Sequence, residues 1–241
     1  MARIADTDFE RLKDFIGSYS LKHVADTPEK LGVVKNAHKT YLPFLQLWSI
    51  CSEKEKTNEF NFFLKEVNKD SQEFAHFRES ISDVSSGLFC CLHGAYKPGH
   101  MALRSCIENF LRFSVGIFNK AALTTTSVYE LFEFAKEVEP LNKAKSSYIN
   151  KLQNCYSELC KYTHSASLAH MSGIHALAHF PSFNDAEFKK WLNLARQCME
   201  IMVTIITLGC PTIYLSAHYT AKELLDILFL PKERLLLLKG G

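Results

Sequence analysis

Two short stretches carry polar side chains capable of chemistry inside otherwise apolar helical stripes. In Met101-Ala102-Leu103-Arg104-Ser105-Cys106-Ile107-Glu108-Asn109, Arg104 and Glu108 stand four residues apart and share a helix face. In Tyr156-Ser157-Glu158-Leu159-Cys160-Lys161-Tyr162-Thr163-His164, Tyr156 lies two turns before a His164 that ends the helix, with Lys161 between them. An imidazole supplies an acid or base near neutral pH, and a guanidinium or ammonium supplies a positive charge. The same residues also suit a plain ion pair between Arg104 and Glu108, with His164 in a structural hydrogen bond. A further group, His164, His170, His175 and His179, includes a pair four residues apart. His175 and His179 could present two nitrogens to one metal ion from a single helical face. No His-Glu-x-x-His pattern accompanies them, and a structural or surface histidine pair is the competing reading.

The elements that must position these residues read as helices. Thr7 to Glu10 forms a capping box ahead of Phe9, Leu12, Phe15 and Ile16. Thr27-Pro28-Glu29 opens a second helix that Pro43 is expected to bend or end. Glu55 to about Asn68 is expected to be helical, and Gln72 to Tyr96 is expected to end at Pro98-Gly99. His100 to about Asn119 follows. Ser127 and Glu130 make a second capping box, and Pro140 closes its helix. Leu141 to Tyr162 carries the second polar stretch. Asn184 caps the stripe Phe188, Trp191, Ala195, Cys198 and Met202, which Gly209-Cys210-Pro211 breaks, and Leu215 to Leu228 is expected to be helical again. Strand alternation and Asn-Gly or Asp-Gly hairpin signals are absent. The expectation is an all-α single bundle of about eight or nine helices over residues 1–241.

Composition narrows the function classes. Lys+Arg 28 against Asp+Glu 26 gives a net charge of +2, so no global field announces nucleic acid or acidic lipid. The 47% apolar and 22% charged residues fit a packed core and not a disordered chain. No phosphate-binding Gly-x-x-x-x-Gly-Lys loop, Gly-x-Gly-x-x-Gly turn or Gly-x-Ser-x-Gly elbow occurs, and no cofactor is implied. The eight cysteines form no Cys-x-x-Cys pair and fall mostly in apolar stripes. With a start, residues 1–15, that contains acids and no apolar core and so is expected to hold no signal or transit segment, they imply a reduced cytoplasmic protein. Ile201 to Ala217 lacks charge but is short and interrupted by Gly209 and Pro211, which favours a core helix over a membrane span. Leu235–Leu238 are expected to dock on the bundle or on a second subunit.

Arg104-x-x-x-Glu108 on one helix and Tyr156-x-x-Leu159-x-x-x-x-His164 at the end of another resemble the HEPN-superfamily helical proteins, over about Gly87 to His179. The likeness is to their divergent members in prokaryotic defence and toxin systems. It implies a HEPN-like core at 87–179 with N-terminal helices of 1–80 packed on it, and dimerisation through the motif helices. It also implies metal-independent RNA cleavage or nucleotidyl transfer, with His164, Arg104, Glu108, Tyr156 and Lys161 as the catalytic candidates. Active nucleases of the family carry an Arg five to seven residues before the catalytic His. Here that stretch is Ser157, Glu158 and Leu159, so Arg104 or Lys161 would have to supply the cation. The functional expectation is a component of an antiviral-defence or toxin–antitoxin system, RNA-binding or nucleotide-binding and oligomeric. Its alternative is a non-catalytic interaction subunit that holds a partner enzyme or nucleoprotein complex.

Overall fold

The computed structural model describes residues 14, 17–24, 26–56, 60–143, 146–165, 167–174 and 176–239. The fold is all-α. The first capping box, with Phe9, Leu12, Phe15 and Ile16, lies outside the described residues.

Helix α1 (Pro28–Lys56) starts where the Thr27 hydroxyl accepts the Lys30 N–H at 3.3 Å. Pro43 neither ends nor interrupts it: the helix runs thirteen residues further, because Phe44, Leu47 and Cys51 continue a buried stripe on the same face. Core burial there outweighs one lost backbone hydrogen bond.

The segment expected to be helical up to Asn68 is instead a hairpin. Strands β1 (Asn61–Phe62) and β2 (Lys65–Glu66) pair antiparallel across Phe63 and Leu64. Both turn residues have positive φ, 46° and 64°, which is the backbone of a two-residue hairpin turn. Phe60 and Phe62 are both buried, a spacing of two that a helix cannot put on one face. Their rings join Phe74, Phe77 and Phe113 in one aromatic cluster, with Phe62 at 5.2 Å from Phe113 and Phe60 at 5.6 Å from Phe74. Phe62 also sits against Gly209, where an added Cβ would lie 2.4 Å from its ring.

Helix α2 (Gln72–Leu92) begins at a Ser71 cap and buries Phe74, Phe77, Ile81, Val84 and Cys91 at the expected spacing. It stops at Gly94, whose φ of +84° and contact with the Ser182 carbonyl both demand a glycine. Helix α3 (Tyr96–Gly116) starts before Pro98-Gly99 and not after it. Pro98 occupies the first turn, where its missing N–H costs no helical bond. Gly99 and Gly87 let the two helices meet closely: a Cβ on Gly99 would lie 2.3 Å from the Cys91 sulfur.

After a short 3-10 turn at Lys120–Leu123 come α4 (Val128–Glu137), α5 (Glu139–Lys143) and α6 (Ser146–Thr163). Ser127 caps α4 by accepting the Glu130 N–H, but the Glu130 carboxylate takes the Thr125 hydroxyl and does not return to Ser127. Pro140 begins α5 and does not close α4. Two single 3-10 turns, Leu168–His170 and Leu177–His179, lead to α7 (Asp185–Gly209), capped by Asn184 as expected. Every residue from Ile201 to Thr207 is buried, so the uncharged run is the all-round apolar half of a central helix. Among the described residues no helix is long and apolar enough to cross a membrane.

The chain ends in α8 (Thr212–Leu215), α9 (Tyr219–Leu225) and α10 (Pro231–Lys239). Helix α7 packs against α1, α3 and α6, and α6 packs on α3. Of the four tail leucines only Leu237 is buried. Glu233, buried beside it, accepts the Tyr148 hydroxyl of α6 at 2.7 Å, leaving Leu235, Leu236 and Leu238 exposed.

Candidate functional site

The seam between α3 and α6 brings together Arg104 and Glu108 of the first stretch and Tyr156 of the second. Lys97, His100, Arg104 and Glu108 follow one another at spacings of three, four and four, so they lie along one face of α3 over roughly 16 Å. That face meets α6. At one end the Arg104 Nε–H donates to the Tyr156 hydroxyl at 2.8 Å, which donates in turn to Glu108 Oε1 at 2.9 Å. The guanidinium also reaches Glu108 Oε1 at 3.2 Å and lies 5.0 Å over the Tyr156 ring. Phe132 of α4 abuts that ring edge-on at 5.7 Å and fixes its plane.

The donors run one way along this triad, which defines its charge state. Burial opposes the charged form of Arg104, but the Tyr156 hydroxyl and the Glu108 carboxylate outweigh it and move its pKa up. Burial raises the Tyr156 phenol first, and Glu108 adds to that against the opposing Arg104 hydrogen bond. The triad is therefore a cation, a neutral phenol and a carboxylate. Two of the five guanidinium N–H groups are engaged, and the side chain is 28% exposed, so donors remain for an outside acceptor.

Three sequence-derived candidates are thus joined: Arg104, Glu108 and Tyr156. His164 is not among them. It stands eight residues beyond Tyr156, about 12 Å along the helix axis, and is exposed where α6 ends. Lys161 is also exposed and pairs with Glu158 on its own helix. His179 is exposed and its Nδ1 faces the Ala176 carbonyl. His175 lies outside the described residues. Among the described residues no group of three or more His, Cys, Asp or Glu side chains could hold a metal ion.

The other end of the seam holds residues that sequence reasoning passed over. His100 is fully buried, and its ring stacks on Tyr162 at 3.8 Å and 11°. Its Nδ1 lies 2.8 Å from the Tyr96 carbonyl, which can only accept, so Nδ1 carries the proton and Nε2 a lone pair. Nε2 is buried and has no hydrogen-bond partner among the described residues. One turn earlier Lys97 donates to the Ser165 hydroxyl at 2.9 Å, and His170 meets Tyr162 edge-on at 4.8 Å. Lys97, His100, Tyr162, His170 and Glu187 line a cavity of about 200 Å³. The signal in the sequence was periodicity: His100 and Lys97 extend the Arg104–Glu108 face by two turns. A lone histidine at the head of an apolar stripe hid it.

Burial lowers the His100 pKa, against the opposing effects of its hydrogen bond to the Tyr96 carbonyl and the charge of Glu187. A base whose folded pKa lies below its ordinary 6.5 stays neutral in the native state while the unfolded chain takes up the proton. Its contribution is therefore complete above pH 6.5 and is lost as pH falls from there through the lowered folded value. Chemical denaturation at pH 7.5 and 5.5 is expected to show the native protein losing more stability on acidification than His100→Phe, which keeps the ring stack. Equal losses would mean that His100 is not held neutral.

Compared with protein-family models, with curated proteins and with solved structures, the chain matches none of them.

Proposed function

We propose that this chain is a HEPN-like helical protein of a prokaryotic antiviral-defence or toxin–antitoxin system, acting on RNA or a nucleotide through the α3–α6 seam. The observation that carries the reading is the packing of the two motif helices on each other. It sets a positioned, partly exposed guanidinium at one end of a polar face and a lysine and two imidazoles at the other. Phosphodiester chemistry without a metal draws on those groups: a cation to take phosphate charge and a neutral imidazole with a free lone pair to take a proton. Glu108 and Tyr156 serve as positioning residues that hold Arg104 in place. His164 is the solvent-side imidazole on the same helix.

Incubation of the full chain with end-labelled single-stranded RNA in excess chelator tests this. Retained or shortened RNA, with retention falling as salt rises, is the expected result. RNA that is neither bound nor cut, together with nucleotides that do not bind, would overturn it. A second reading, a non-catalytic interaction subunit, is favoured by a separate observation. Leu235, Leu236 and Leu238 stand exposed on α10, as Leu168, Met171 and Leu177 do on the loop before α7.

A further inference from the structure

The cavity at the head of α3 has properties that the triad lacks. Its walls include Lys97, whose ammonium meets only the neutral Ser165 hydroxyl among the described residues. Helix α3 is twenty-one residues long and starts from Ala95 with no side chain capping its first N–H groups. The positive end of the helix dipole is therefore uncompensated at Tyr96 and Lys97, both of which line the cavity. The one carboxylate in the wall among the described residues, Glu187, is bound by Lys190 at 2.6 Å. The balance of charge favours an anion.

His100 narrows the choice of anion. With its Nδ1 proton committed to the Tyr96 carbonyl, the Nε2 of this cavity-lining ring is an acceptor without a partner among the described residues, and being buried it takes an incoming donor only when the ring shifts toward the cavity. We infer that this cavity binds a phosphate group, free or as a monoester, whose P–OH donates to His100 Nε2 while its anionic oxygens face Lys97 and the uncapped start of α3. Inorganic phosphate keeps a P–OH beside its negative charge throughout neutral pH, and a monoester, with a second pKa of about 6, keeps one in roughly a tenth of molecules at pH 7 and in about half at pH 6. Carboxylates and sulfate are fully deprotonated there and offer no donor. They would have to protonate His100, whose burial favours the neutral ring. At about 200 Å³ the space is smaller than the ~300–1,000 Å³ that encloses a drug-sized ligand, so it takes a phosphate and the first atoms attached to it. The inference rests on the RNA-or-nucleotide reading and deepens it: the seam would hold a terminal phosphate at one end and present Arg104 at the other.

The test is titration of the full chain with ¹⁵N-labelled histidine at pH 7, following the His100 imidazole signals assigned with His100→Gln. Inorganic phosphate and ribose 5-phosphate are each added at matched ionic strength, with ribose and sodium sulfate as comparators. A saturable shift of the His100 Nε2 signal with both phosphates is expected. Ribose should have no effect, sulfate should bind at least tenfold more weakly, and Lys97→Met should weaken phosphate binding tenfold or more. Tighter binding of ribose 5-phosphate marks the ester as the occupant, and tighter binding of inorganic phosphate marks the free ion. No shift, sulfate equal to phosphate, or binding unchanged in Lys97→Met would overturn the inference. RNA retention without any phosphate response overturns this site alone. A phosphate response in a chain that ignores RNA and nucleotides overturns the broader reading and leaves a site for a small phosphate compound.

Discussion

Truncation of Trp191 to alanine is expected to lower the unfolding free energy by about 3–5 kcal/mol, the cost of emptying a large buried aromatic site. Trp191 is among the largest fully buried side chains, and its ring lies against Gly87 at the α2–α3 crossing. Its Nε1–H donates to the Gly99 carbonyl at 3.0 Å, so the truncation also removes a buried hydrogen bond. Collapse into the gap is limited because α2 and α3 already touch through Gly87, Gly99 and Cys91. Trp191→Phe loses the hydrogen bond but only part of the volume, so it should cost clearly less. Urea denaturation measures both. A loss below about 1.5 kcal/mol for the alanine variant would mean that the crossing is held by something other than this indole.

The second large effect separates function from stability. Arg104→Ala is expected to reduce RNA cleavage by roughly 10²–10³-fold, the usual consequence of removing one donor to developing phosphate charge. It should leave the unfolding free energy within about 1 kcal/mol, because Arg104 and Glu108 are each about a quarter exposed and solvent screens such a pair. Tyr156→Phe should show a smaller loss, since the guanidinium remains but loses its Nε anchor. Cleavage and thermal unfolding of the same preparations provide the comparison. Intact cleavage in Arg104→Ala, or a stability loss as large as that of Trp191→Ala, would identify the triad as a structural clamp.

The helical architecture was legible because its long elements obey one period. Phe74, Phe77, Ile81, Val84 and Cys91 were readable as the buried face of α2, and Asn184 as the cap of α7, since each depends on local spacing alone. The errors came where tertiary contacts overrode a local rule. Pro43 stays inside α1 because the buried stripe continues past it, and Pro98, expected to end the helix from Gln72, instead lies in the first turn of the next one. Phe60 to Val67 folds as a hairpin because Phe62 is drawn onto Gly209, nearly 150 residues away. The site divided in the same way. Arg104 with Glu108 is a four-residue spacing, and Tyr156 joins them because α6 packs on α3. The His100 cavity depends on a ring stack with Tyr162 and a hydroxyl on Ser165, partners more than sixty residues distant that no local pattern announces.

The most direct measurement of the central claim is ultraviolet crosslinking of a 5′-phosphorylated single-stranded RNA to the full chain, with the attached peptides located by mass spectrometry. Crosslinks confined to the α3 face from Lys97 to Glu108 and the facing residues Tyr156 to Ser165 are the predicted result, and they should fade in Arg104→Ala. Crosslinks spread over the lysine-bearing surfaces away from this seam, or none at all, would contradict it.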